Sequence, residues 1–252
     1  MKPVTRCNNC NDVITSNSDL WQREEISCDG CGSTVRRRSF VHLLSEYLYG
    51  ESRAICDFTP KDNIRVMAMS DDPTMADMLS DKLNYVNTHL HSPPPTLDIT
   101  NIGPDDKSQY DVVISSEVFE HVPPPIQKAF DNLFQILKPG GIVIFSVPFT
   151  LEDSTLEHYP NLYDFQIVEE DGQPVLHNTT VDGEKEKFTD LIFHGAPEIG
   201  GALELRVMAK KHIIECMQKA GFVDIKFRNE TCEQFGIKWH HEFSIPMTCR
   251  RP

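Results

Sequence analysis

No apolar run in this 252-residue chain approaches the roughly 20 positions that a membrane-spanning helix needs. The amino terminus, MKPVTRCNNC, has no apolar core of the kind a secretory leader carries, so the expected compartment is the cytoplasm. Positive charge is also scarce: 24 Lys and Arg stand against 38 Asp and Glu, a formal net charge of −14. Sequence-independent nucleic-acid binding rests on phosphate neutralisation by basic residues, and a chain this acidic is expected to have no nucleic-acid partner. Glycine is absent between Gly50 and Gly103. The stretch NIRVMAMSDDP therefore runs from a buried strand, Ile64–Met69, straight into an acidic turn. The glycine loop that lets a backbone close on a nucleotide after the first strand of an α/β unit is missing.

Cysteine is plentiful, and a reducing compartment leaves disulfides out of account. Cys7 and Cys10 form one C-x-x-C pair, and Cys28 and Cys31 form another within CDGCGS. Each pair fits a knuckle turn that aims two sulfurs at one point, and two knuckles supply the four thiolates of a tetrahedral Zn²⁺ site. Gly30 and Gly32 relax the backbone of the second knuckle. The 17 residues between the pairs suffice for a short hairpin. A redox dithiol and an iron–sulfur cluster compete with this reading, but a redox C-x-x-C usually stands alone at a helix start. Four ligands close the site, so the zinc is expected to be structural. Cys56, Cys216, Cys232 and Cys249 are scattered and read as core or surface thiols.

In VRRRSFVHLLSEYLYG, Phe40, Leu43, Leu44, Tyr47 and Leu48 fall at helical spacing and Gly50 ends the helix. The run Arg36–Arg38 reads as a solvated helix start, or else as a contact for an acidic partner. After the strand Ile64–Met69 comes a short helix, Thr74–Leu83, then a strand, Tyr85–Leu90, and the proline-braced HSPPPTLDIT. YDVVISSEVFEHV carries a strand, Asp111–Ile114, buried on both faces. A helix from Pro124 runs through Ile126, Phe130, Leu133 and Leu137 and stops at Lys138-Pro139-Gly140-Gly141, before the strand IVIFSVPF. Strand, helix and strand joined this way make a crossover unit of a parallel sheet. Residues 150–206 break the rhythm and read as an insertion over the carboxyl edge of the sheet. A helix at about 208–219 ends at Gly221, and Phe222–Phe227 and Ser244–Cys249 read as an antiparallel edge pair. The expected fold is α/β, a Rossmann-like parallel sheet with an antiparallel carboxy-terminal edge strand and a small amino-terminal zinc ribbon. The expected division is 1–38 for the ribbon and 39–252 for the main domain.

YDVVISSEVFEHV, an amphipathic helix and LKPGGIVIFSVPF together resemble the second half of a class I S-adenosylmethionine-dependent methyltransferase. More narrowly, the chain resembles a bacterial subgroup with an amino-terminal four-cysteine zinc knuckle and a degenerate glycine-rich loop. CDGCGSTVRRR, NYVNTHLH, LDIT, SSEVFEHVPPP, TLEHYPNLYDF, LIFHG, LELRV and the AGF before the penultimate strand carry that likeness over nearly the full length. MSDDP replaces the usual glycine-rich turn, and NTHLH stands where an acidic residue usually grips the ribose.

The resemblance implies S-adenosylmethionine at the carboxyl ends of the strands. Met69, Ser70, Asp71 and Asp72 would meet its amino acid end, although both aspartates also read as helix caps. His89 or Asn87 would serve the ribose. Asp98 and Ile99 would face the adenine, with an Asx turn before Thr100 as the other reading of Asp98. Ser115, Ser116 and Glu117 would floor the methionine moiety, and Glu120 reads as an acid in a first helical turn.

Methyl transfer from a sulfonium is an in-line displacement that depends on alignment. A hydroxyl acceptor also needs a base. His121 is the first candidate, with His194 and His158 behind it, and each also reads as a structural histidine. Tyr159, Glu204 and Arg206 are candidates for the substrate pocket, or for an internal ion pair. The narrower likeness implies a small-molecule or saccharide acceptor. The missing glycine loop supports a different reading, a catalytically inactive scaffold of the same fold stabilised by zinc.

Overall fold

In the computed structural model, which describes residues 4–17, 21–91, 93–194 and 201–252, the chain first leaves the cysteine module through helix α1 (Val35–Tyr49). Thr34 caps α1 by accepting from the Arg37 amide, and Gly50, at φ 75°, ends it in the left-handed region. There follow β1 (Lys61–Met69), α2 (Pro73–Ser80), β2 (Leu83–Thr88), β3 (Tyr110–Ser116), α3 (Gln127–Ile136) and β4 (Leu137–Ser146). The insertion holds β5 (Phe149–Thr150), β6 (Leu156–Glu157), β7 (Asp164–Glu170), β8 (Gln173–Thr179), β9 (Lys185–Phe188), β10 (Phe193–His194), β11 (Ala202–Leu203) and β12 (Arg206–Ala209). The chain closes with α4 (Lys210–Ala220), β13 (Val223–Phe227) and β14 (Met247–Arg250). Residues 195–200, in the middle of the insertion and including the glycine of the FHG block, lie outside the described residues.

The main sheet has the order β2-β1-β3-β4-β14-β13. β2, β1, β3 and β4 are parallel, and β14 and β13 run antiparallel at the edge. Alternation on the central strands sorts the core into two layers. Met67, Val113, Val143 and Phe145 face the side of α3 and α4, whereas Val66, Val112, Ile114 and Ile144 face α1 and α2. No helix among the described residues is long and apolar enough to cross a membrane.

Several boundaries differ from expectation, two of them for reasons that bear on the sheet. β2 starts at Leu83, because pairing with β1 runs from Leu83 against Lys61 to Thr88 against Met69 and draws those residues out of the preceding helix. β4 begins at Leu137, so Pro139, Gly140 and Gly141 lie inside the strand as an irregular stretch. There the Gly140 amide donates to the Arg251 carbonyl and Arg251 donates back to Gly141. A Cβ on Gly141 would sit 3.0 Å from the carbonyl oxygens of both Asp111 and Lys138. Gly141→Ala is therefore expected to lower stability by about 1–3 kcal/mol, the usual cost of overpacking, measured as a drop in urea midpoint at constant slope.

Arg36–Arg38 is not a solvated helix start. Arg38 is fully buried and donates to the Ser33 carbonyl, to the hydroxyls of Ser33 and Ser27, and to the Gly236 carbonyl. Phe235 and Ile237 join Ile14, Trp21 and Val35 in a small core around the cysteines, so the carboxy-terminal segment closes over the amino-terminal module. Residue 38 itself falls inside α1.

Candidate active site

The turn after β1 is made by side chains where a glycine loop would use bare backbone. Ser70 takes the left-handed conformation (φ 54°) and donates its amide to the Thr88 carbonyl at 2.7 Å. Asn87 bonds the Asp71 backbone in both directions, accepting from its amide at 2.9 Å and donating to its carbonyl at 3.0 Å. Tyr85 donates to the Asp71 carboxylate at 2.6 Å. Burial holds that carboxyl above its ordinary range. Asp72 caps α2 through the Met75 amide and pairs with Arg37 at 3.1 Å. Asp71, Asp72 and Asn87 are thus occupied in building the turn, and none of them lines either of the two clefts at the carboxyl ends of the parallel strands.

Two clefts open at the carboxyl ends of the parallel strands. The first, with a cavity volume of about 90 Å³, is lined by Met69, Ser70, His89, Asp98, Ile99 and His121, among others. Asp98 is exposed there. Its Oδ1 accepts from the Thr100 amide at 2.8 Å and the Thr100 hydroxyl at 2.7 Å, which is the Asx turn. The Ile99 carbonyl is taken by Asn132 at 2.7 Å. The second cleft, with a cavity volume of about 610 Å³, is lined by Arg23, Glu24, Arg36, Glu117, His121 and His194, together with Pro148 and Phe193. His121 lines both.

Glu117 ends β3 at φ 56° and receives two bonds from the Arg23 guanidinium, at 2.6 and 3.1 Å, and one from the Ser146 hydroxyl at 2.8 Å. Burial alone would raise its carboxyl, but Arg23 and Arg36 outweigh that and hold it below the usual carboxylate range. Arg36 reaches the Ser116 hydroxyl and Glu24. Arg23 and Arg36 come from the cysteine module and the start of α1. The sequence offered no sign of their role, because nothing local marks a basic residue that is delivered to a site 80 or more positions away.

Glu120 corrects its expected role. It lies in a short 3₁₀ turn, Phe119–His121, ahead of Pro123–Pro125, and α3 begins only at Gln127. It is fully buried, and neither carboxylate oxygen accepts a hydrogen bond among the described residues. Burial first, and then the charge of Glu117, push its carboxyl well above the ordinary range. His121 donates from Nδ1 to the Leu203 carbonyl at 2.8 Å. Burial, aided by His194, holds its imidazole below its ordinary pKa despite that bond, so the ring is neutral.

The remaining expected residues stand behind this site. His194 contacts the Glu204 carboxylate, whose other oxygen lies 3.0 Å from His158 Nε2. Tyr159 is buried in the core of the insertion and accepts from the Ile192 amide. Arg206 is fully buried, bonded to Glu157 and to the carbonyls of Phe119 and Val122. It lines neither cleft and makes the internal ion pair with Glu157. Ser115 is fully buried inside the sheet.

The four knuckle sulfurs converge as expected. Cys7–Cys31, Cys10–Cys28 and Cys28–Cys31 are 3.6, 3.5 and 3.8 Å apart, with all four within 4.8 Å of one another. Zn–S bonds of about 2.3 Å in a tetrahedron place sulfurs about 3.8 Å apart, so the cage fits zinc.

A family model described as a methyltransferase domain matches residues 63–226. No curated protein sequence matches the chain. Among solved structures it is similar to the CurJ carbon methyltransferase, at 14% identity over 87% of this chain and 55% of that one, with a TM-score of 0.49. The chain thus spans about half the length of that protein. It is similar to the glycopeptide N-methyltransferase MtfA complexed with sinefungin, at 11% identity over 92% of this chain and 99% of that one, with a TM-score of 0.49. A third is the Burkholderia thailandensis 1,6-didemethyltoxoflavin-N1-methyltransferase, at 11% identity over 84% of this chain and 76% of that one, with a TM-score of 0.46.

Proposed function

The chain belongs to the methyltransferase-domain family, and on that premise we propose that it moves a methyl group from S-adenosylmethionine to a small-molecule or sugar-like acceptor. One observation carries the reading: two clefts of different character meet at a single side chain, His121, at the carboxyl ends of the parallel strands. The smaller, more apolar cleft takes the nucleoside, with Asp98 Oδ2 toward the exocyclic amine, His89 beside the ribose, and Met69 and Ile99 against the rings. Glu117, kept ionised, receives the amino group of the methionine end, and Arg36 its carboxylate. When bound, S-adenosylmethionine supplies an electrophilic methyl whose leaving group is a neutral thioether, so the protein's work is alignment. The acceptor enters the larger cleft and is met by His121 and His194.

The inert-scaffold reading drew on the missing glycine loop. Asn87 and Tyr85 replace that loop by pinning Asp71, and no side chain from 71 to 75 lines the nucleoside cleft. In this proposal Cys7, Cys10, Cys28 and Cys31 hold a structural zinc, and residues 1–38 act as the unit that delivers Arg23 to Glu117.

Calorimetry with S-adenosylhomocysteine is expected to show saturable binding at one site per chain. Asp98→Ala is expected to weaken it about 10–100-fold, the value of a hydrogen bond to a charged group. Wild-type protein that takes up no ligand at millimolar concentration would remove the transferase reading.

A further inference from the structure

We propose that Glu120, His121 and His194 form a second metal site, distinct from the four thiolates, which binds a divalent transition-metal ion and leaves coordination positions open toward the larger cleft. The argument starts from the outer nitrogens of the two histidines. His121 Nδ1 faces the Leu203 carbonyl at 2.8 Å, and a carbonyl only accepts, so the ring hydrogen sits on Nδ1 and the lone pair on Nε2. His194 Nε2 lies against the Glu204 carboxylate, which likewise fixes its hydrogen outward and leaves the lone pair on Nδ1. Both lone pairs then face one atom. His121 Nε2 and His194 Nδ1 are each 3.6 Å from Glu120 Oε1.

With Glu120 ionised, three acceptors converge there and none of them donates. The Glu120 carboxylate is fully buried with neither oxygen hydrogen-bonded. An arrangement of that kind is costly unless a cation occupies it. A tetrahedral ion with bonds of about 2.1 Å holds its ligand atoms about 3.4 Å apart, so a shift of a few tenths of an ångström completes the coordination. The outer contacts match the pattern that orients metal-bound histidines, one ring N–H on a backbone carbonyl and the other on a carboxylate. His158, 3.0 Å from Glu204, holds that carboxylate in turn. Two histidines and one carboxylate on one side of an ion leave positions for exogenous oxygen ligands and suit zinc or iron(II). His121 and His194 line the larger cleft, so the open positions face the acceptor. The site would bind an acceptor oxygen and make its hydroxyl more acidic. That use rests on the methyl-transfer reading, whereas the metal site itself rests on the geometry alone.

The test is titration of the full chain, its thiolate site already filled with zinc, with Co²⁺ as the probe. One further equivalent is expected, with the weak visible bands of nitrogen and oxygen ligation. Glu120→Gln keeps the side-chain shape but donates into the cluster, and is expected to lose that equivalent, as is His194→Asn. Glu204→Gln, one shell out, is expected to weaken Co²⁺ binding about 10–100-fold. Wild type that takes up no second ion, or a Glu120→Gln variant that binds it as tightly as wild type, overturns the site. Calorimetry with S-adenosylhomocysteine on the same samples separates the two ideas. Nucleoside binding without the second ion refutes the metal site alone, and the second ion without nucleoside binding refutes the transferase reading alone.

Discussion

Stripping the thiolate-bound metal from the full chain is expected to unfold the amino-terminal module and to abolish S-adenosylhomocysteine binding in the same step. The hydrophobic cluster around the cysteines is small, built on Ile14, Trp21, Val35, Ala54, Phe235 and Ile237. A core of that size does not hold a fold without a staple, whereas structural zinc contributes on the order of 10–16 kcal/mol. Charge adds to the dependence. Arg38 is fully buried with only hydroxyl and carbonyl partners, and burial pushes its pKa down while the charges of the nearby thiolates push back. Zn²⁺ with four thiolates would carry a net charge of −2, so the proposed metal-loaded cage would serve as the counter-ion of Arg38, and with the metal gone the thiolates would take up protons. Loss of the metal removes that compensation. It also releases Arg23 from Glu117, 2.6 Å away at the end of β3. Both of the chain's two tryptophans, Trp21 and Trp239, pack against this cluster. Chelation should therefore shift their emission to the red as the calorimetric signal disappears. A metal-free sample with unchanged fluorescence and unchanged ligand binding would sink the argument.

What the sequence shows depends on how local the cause is. The central strands could be read because Val112–Ile114 and Ile142–Phe145 are buried on both faces, and burial on both faces is written as a continuous apolar run. The knuckle was visible because four sulfurs at one point need short spacings. The helix ends at Gly50 and Gly221 could be read because both residues take positive φ, which glycine adopts without strain. The failures have long-range causes. Arg36–Arg38 looked solvated, since charge is normally exposed, and only the return of residues 234–237 over the module buries Arg38. MSDDP looked like the loss of a cofactor loop, because the compensating partners, Tyr85 and Asn87, belong to the neighbouring strand. Glu120 looked like a helix-start acid. Pro123–Pro125 delay α3, and Leu203–Leu205 from the insertion cover the turn, leaving the carboxylate buried beside two histidines. Met69, Ser70 and Glu117 lie at strand ends that the fold class locates, whereas the partners of Glu117, Arg23 and Ser146, come from distant segments.

Arg206→Met is expected to cost about 3 kcal/mol of stability and to displace His121, although residue 206 touches neither cleft. The guanidinium is fully buried and donates to the carbonyls of Phe119 and Val122, the two ends of the turn that carries Glu120 and His121. Methionine keeps much of the packing of the arginine stem but provides no donor. The Val122 carbonyl is then left unpaired and the Phe119 carbonyl keeps only the Val122 amide, a loss of about 1–3 kcal/mol to which the emptied guanidinium space adds. The ion pair with Glu157 adds little, because that carboxylate is 38% exposed and rehydrates when its partner goes. Glu157→Gln should therefore lose less than about 1 kcal/mol, and the contrast between the two variants separates the carbonyl bonds from the charge pair. Urea unfolding monitored by tryptophan emission would read the difference as a midpoint about 1 M lower for Arg206→Met and nearly unchanged for Glu157→Gln. Equal losses in the two variants would assign the stabilisation to the ion pair. Arg206 would then have no special hold on the turn that presents His121.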